Sequence, residues 1–141
     1  MAEGQAQYRL VVRFTKTKRK VFFVRMHDFI EASKPLRPLL EKRVFLNTKL
    51  VEGGHGVVWP NGIDLGADTV WELALEQNGR ADAVEFIRWR WRNQLSLSAA
   101  ADALGISRRQ VAYYASGVHE VPRQTLLACK GWEAERQHAA A

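Results

Sequence analysis

The 141-residue sequence is poor in the features that mark several large protein classes. Cys129 is its only cysteine, so this chain closes no internal disulfide and builds no multi-thiolate zinc site, and a small buried hydrophobe is the role expected of that thiol. No apolar run approaches the roughly 18–20 residues of a membrane span, and the start, MAEGQAQYRL, lacks the apolar core of a secretory signal. The expected location is cytoplasmic, with no membrane partner. The four histidines are scattered without metal-ligand spacing, and GGHG around His55 is shorter than a phosphate-binding loop, so neither a metal nor a cofactor is implied. No nucleophile, base and orienting group are grouped in the sequence, and the neighbours His27 and Asp28 are poorly disposed to converge on one substrate. The chain is not expected to be an enzyme, and Asp28 is expected to cap a helix.

What is present is a globular composition, 47% apolar and 26% charged, with a net charge of +6. That balance leans toward polyanionic partners without proving one. Its distribution says more, because residues 86–123 hold six arginines (88, 90, 92, 108, 109 and 123) against only Asp102 and Glu120. Arginine's planar fork suits phosphate and guanine better than a lysine point charge does, although it also decorates ordinary helical surfaces.

Patterning changes near EQNGR, residues 76–80. Before it, YRLVVRF (8–14) and KVFFVRM (20–26) are β-branched and aromatic runs separated by the polar TKTKR, which reads as a hairpin with a solvated basic tip. RVFLNTKLV (43–51) and GVVWP (56–60) flank EGGH and read as a second hairpin, with glycines for the turn. Between them, Pro35 and Pro38 limit HDFIEASKPLRPLLEK to short helical turns. DLGADTVWELALEQ (64–77) continues into a helix with Asp68 in its first turn. The fold class expected for residues 1–78 is α+β, with two hairpins and short helices.

Beyond a linker at residues 79–82, residues 83–141 read as all-helical. AVEFIRWRWRNQ (83–94) is the first helix, with Val84, Ile87, Trp91 and Leu95 on one face; Trp89 and Trp91 point about 160° apart, so one is core and the other is expected to meet the first domain. Ser96 caps a helix running to Leu104, and Gly105 ends it where a left-handed residue is needed. Ser107 caps the next, which Gly117 closes, and Pro122 opens a last helix with a break expected near Gly131. Two short capped helices about a glycine-bearing turn are the parts of a helix-turn-helix, and alanines 99, 100, 101 and 103 allow the close crossing it requires. On the helix 107–116, Val111, Tyr114 and Ala115 face inward, Arg109, Tyr113 and Ser116 outward, and Arg108 juts from the first turn.

LSLSAAADALGISRRQVAYYASG resembles the phage-repressor-like (Cro and XRE type, lambda-repressor-like) helix-turn-helix domain, and with VPRQTLLACKGWE the resemblance spans residues 83–135. Leu97 stands where such domains often carry a glutamine, and Ala115 where a glutamate is frequent. VVWPNGIDLGADTVWEL (57–73) resembles a small bacterial domain of unknown function with a V-W-P-N-G-x-D-L signature, over residues 8–76. Members of that family fused to repressor-like domains, or encoded beside small proteins in toxin–antitoxin-like arrangements, imply a sensing or partner-binding role. The residues themselves give a structural reading: PNG is a turn, Trp59 and Trp71 are core aromatics, and Asp64 caps a turn or helix.

These readings converge on a transcriptional regulator that binds double-stranded DNA with helix 107–116 in the major groove. Arg108, Arg109 and Tyr113, with Gln110 and Ala112 at the margin, are the expected base contacts; Ser96, Ser107, Ser116 and Arg123 are the phosphate contacts. A homodimer is expected, because one such module offers limited contact area. The alternative is an antitoxin-like or other protein-interaction module, with a protein partner on the N-terminal domain.

Overall fold

A computed structural model describes residues 2–5, 7–15 and 20–140. The chain divides into two compact units, Met1–Asn78 and Gly79–Ala141.

The first unit is α+β. Strands β1 (Ala2–Gln5), β2 (Arg9–Arg13) and β3 (Val21–Arg25) form an antiparallel sheet in that order. The pairs Leu10↔Val24 and Val12↔Phe22 put four buried side chains on one face. Helix α3 (Ala67–Gln77) buries Val70, Trp71, Ala74 and Leu75, and the Trp71 ring meets Phe22 edge-on at 5.7 Å. The tip of the β2–β3 hairpin, residues 16–19, lies outside the described residues. Between the sheets run α1 (His27–Glu31), a 3-10 segment (Lys34–Leu40) and α2 (Lys42–Leu46). Asp28 lies in the first turn of α1, whose N-cap is Met26, so the cap expected of Asp28 is corrected to a charge near the positive end of the helix.

The second hairpin is shorter than its sequence implies. Residues 43–46 are helical, and only β4 (Lys49–Leu50) pairs with β5 (Gly56–Val58). Tertiary contacts override the strand propensity there: Phe45 is buried, and its carbonyl accepts from Thr48 Oγ1 at 2.6 Å and Trp59 Nε1 at 3.1 Å. A third strand, β6 (Asp64–Gly66), pairs with β5, so Asp64 is a strand residue and not a cap. Gly56 is required by that pairing, since a Cβ would sit 2.2 Å from the Leu65 carbonyl oxygen. The PNG segment is a turn closed by Trp59 N–H to Ile63 O at 2.9 Å, and Trp59 and Trp71 are both buried. The residues VWPNG are thus held in place by that turn and by the buried Trp59 ring.

The second unit is helical: α4 (Ala81–Arg92), α5 (Leu97–Leu104), α6 (Arg108–Ala115) and α7 (Arg123–Ala140). Residues 79–82, read as a linker, belong to this unit, with α4 starting at Ala81. Helix α4 buries Ala83, Val84, Phe86, Ile87 and Trp89, of which Phe86 and Trp89 belong to the core of this unit, whereas Trp91 is 38% exposed and not part of the buried stripe assigned to it. Helix α7 runs through Gly131 unbroken, because one glycine costs a helix only about 1 kcal/mol. Cys129 is buried, and burial, with the Glu85 charge, pushes its thiol up to about 12, which leaves it an inert apolar filler. Among the described residues, no helix is long and apolar enough to cross a membrane.

Candidate nucleic-acid interface

Two capped helices form the centre of the second unit. Ser96 Oγ accepts from the Ala99 amide and Ser107 Oγ from the Gln110 amide, each at 3.0 Å, which satisfies one exposed amide at the start of α5 and of α6. Gly105 joins the helices at φ 68°, a left-handed conformation that a Cβ would strain. The crossing is made by small residues, with Ala100 and Ala101 buried and Ala103 packed on the same core. Val111 and Tyr114 anchor α6 to that core, and Tyr114 meets Phe86 edge-on at 5.4 Å.

Leu97 and Ala115, the two positions that depart from the repressor-like pattern, both pack against this core. Their side chains add apolar contact where the pattern would place polar groups.

The outward side of α6 is ordered by its own contacts. Arg108 and Arg109 are exposed, and Gln110, Ala112 and Tyr113 are half-buried. Arg109 Nε donates to the Tyr113 hydroxyl at 2.7 Å, and its guanidinium lies 5.4 Å from that ring's centroid. Gln110 Nε2 lies 3.1 Å from His119 Nδ1, and the His119 ring packs on Tyr113 with centroids 4.6 Å apart. Of the phosphate candidates, Ser96, Ser107 and Arg123 are exposed, whereas Ser116 is half-buried and donates to the Tyr113 carbonyl at 3.3 Å. Ser96 and Ser107 use an acceptor lone pair for capping, which leaves each hydroxyl hydrogen able to donate.

Two groups of charged side chains tie distant parts of the second unit together. Arg80 donates to Asp82 at 3.1 and 3.2 Å and to the carbonyls of Gly117 and His119 at 2.6 and 3.1 Å, while Asp82 accepts from the Val121 amide at 2.7 Å. Burial works to raise the Asp82 pKa, but the Arg80 hydrogen bond, the Val121 amide and the Arg80 charge together bring it below its ordinary value. Arg92, one of the six arginines in the basic window, makes a two-pronged bond to Glu133 at 2.9 and 3.0 Å. Asn93 donates to the same carboxylate. Arg80 and Asp82 are two residues apart, but the partners they and Arg92 reach lie 37–41 residues away, a spacing that carries no local signal; a half-buried acid at the start of a helix is the nearest thing to one.

The first unit holds an open depression of about 700 Å³ lined by Arg9, Arg25, His27, Asp28 and Gln77 among others. The ligand atoms of His27, Asp28 and Glu31 fall within 4.8 Å of one another, a grouping the sequence reading did not anticipate; all three side chains are exposed.

The whole chain resembles a crystal structure of a candidate DNA-binding protein from Nitrosomonas europaea ATCC 19718, at 38% identity and a TM-score of 0.69 over 96% of this chain and 85% of that one. The chain belongs to that protein's family. No family model and no curated protein matches the chain. That match spans residues of both units.

Proposed function

We propose that the chain is a sequence-specific double-stranded DNA-binding transcriptional regulator, a non-enzymatic protein of the cytoplasm that inserts α6 into the major groove. The observation that carries this reading is α6 itself: a helix capped at Ser107, held from behind by Val111 and Tyr114, with Arg108 and Arg109 exposed on the other side. The Nitrosomonas europaea relative, described as a candidate DNA-binding protein, supports it. So does the resemblance of residues 83–135 to repressor-like helix-turn-helix domains. Arg108, Arg109 and Tyr113 read base edges, with Gln110 and Ala112 beside them; an arginine paired to guanine O6 and N7 gives about 1–3 kcal/mol of discrimination. Ser96, Ser107, Ser116 and Arg123 meet phosphate. The active species is a homodimer on half-sites about 34 Å apart.

Selection from a randomised duplex pool by the full chain, followed by titration across salt, tests the reading. Arg109→Ala relaxes sequence choice, whereas Arg123→Ala weakens all duplexes alike and lowers the salt slope by about 1. A protein-interaction module is the second reading, favoured by Phe23, Leu46 and Leu50, exposed on the first unit. It predicts equal, feeble binding to every duplex.

A further inference from the structure

The loop after α6 is held at three backbone points by the first residues of the second unit. Arg80 binds the carbonyls of Gly117 and His119, and Asp82 binds the amide of Val121, while the two side chains bind each other. A guanidinium shared between a carboxylate and two carbonyls has most of its donors used, so the loop has little freedom to move against α4. The residue presented between those anchors is His119. Its ring packs at 4.6 Å and 53° on Tyr113, its Nδ1 lies 3.1 Å from Gln110 Nε2, and its amide donates to the Tyr113 carbonyl at 3.3 Å. Tyr113 in turn takes the Arg109 guanidinium on its hydroxyl.

We propose that His119 is a positioning residue for base readout: anchored by Arg80 and Asp82, it fixes the rotamers of Gln110 and Tyr113, and through Tyr113 that of Arg109, before DNA arrives. The proposal rests on the reading of α6 as the base-reading helix and deepens it, placing part of the sequence preference outside the helix. Long side chains that are already immobilised lose less freedom on binding, and the benefit is larger for a cognate duplex, which uses their fixed geometry, than for a mismatched one. Pre-setting these side chains is worth about 10-fold in the ratio of cognate to scrambled affinity.

The test uses the full chain with duplexes recovered by selection. His119→Ala is expected to keep its thermal midpoint within a few degrees and its salt slope, yet to lose about 10-fold in the cognate-to-scrambled ratio. In a Gln110→Ala, Tyr113→Ala background the same substitution is expected to change nothing. An unchanged ratio overturns the proposal; so does an undiminished effect in that background, which makes His119 a base contact in its own right. Should His119→Ala unfold, His119→Ser removes both the ring on Tyr113 and the Nδ1 contact with Gln110 while keeping a polar residue in the loop, and an unchanged ratio there is equally fatal. If the unmodified protein shows no sequence preference, the parent reading fails, and the packing claim is then decided by the Tyr113 ring resonances of the free protein. These shift in His119→Ala if the His119 ring packs on Tyr113 in solution, and stay in place if it does not.

Discussion

Asp82→Ala removes one carboxylate that holds three donors at once: two guanidinium N–H groups of Arg80 and the Val121 amide at 2.7 Å. The Arg80 and Asp82 side chains are each only 23% exposed, so water replaces the lost bonds incompletely. A hydrogen bond to a charged group contributes about 1.5–3 kcal/mol, an orphaned inward amide costs about 1–3, and partial exposure keeps the total near about 2–3 kcal/mol. In a unit of this size that lowers the thermal midpoint by about 10 °C or more. Tryptophan fluorescence reports it, since Trp89, Trp91 and Trp132 lie in the second unit. Asp82→Asn, which keeps an acceptor for the amide, is expected to lose about half as much. The pH dependence has a definite sign, because the folded carboxyl titrates below its ordinary value. Its contribution is complete above the ordinary aspartate pKa of about 3.9 and is lost as pH falls through the folded value, so the gap between the native chain and Asp82→Ala closes in acid. A loss under about 0.5 kcal/mol at pH 7, the range of an exposed control such as Asp102→Ala, refutes the reasoning. A gap that widens on acidification refutes it too.

Ser107→Ala is expected to cost about 1 kcal/mol by denaturant unfolding, through loss of the α6 cap; Ser107→Asp keeps the cap and the stability but weakens duplex binding by repelling phosphate. Glu133 is held below its ordinary pKa, first by the Arg92 hydrogen bond and then by that of Asn93, so it stabilises the fold above the ordinary glutamate value of about 4.3 and ceases to as pH falls through the lower folded value. Glu133→Gln flattens that part of the acid-stability profile, and an unaltered profile assigns the acid sensitivity elsewhere.

Legibility in the sequence followed the range of the interactions. Ser96, Gly105, Ser107 and the β-branched and aromatic runs of β2 and β3 act within a few residues, so their types and spacing announce caps, a turn and paired strands. Strand β1, AEGQ, has no strand-forming residues of note and is ordered by its neighbours: a Cβ on Gly4 would meet the Phe45 carbonyl oxygen at 2.5 Å. The helix at 42–46 was hidden by its β-branched and aromatic composition, and what decides it is the Phe45 carbonyl, used by Thr48 and by a tryptophan 14 residues away. For the site, the outward set on α6 follows from helical periodicity. Its bracing by His119, Arg80 and Asp82 depends on how a loop folds back, which periodicity does not encode.

The central claim, that α6 reads the major groove, is tested most directly by dimethyl sulfate protection on a selected duplex. That reagent methylates guanine N7 in the major groove and adenine N3 in the minor. Protected guanines are expected in each half-site, lost in Arg108→Ala or Arg109→Ala with the surrounding backbone footprint retained. Guanine N7 left fully reactive under saturating protein, or protection confined to adenine N3, contradicts it.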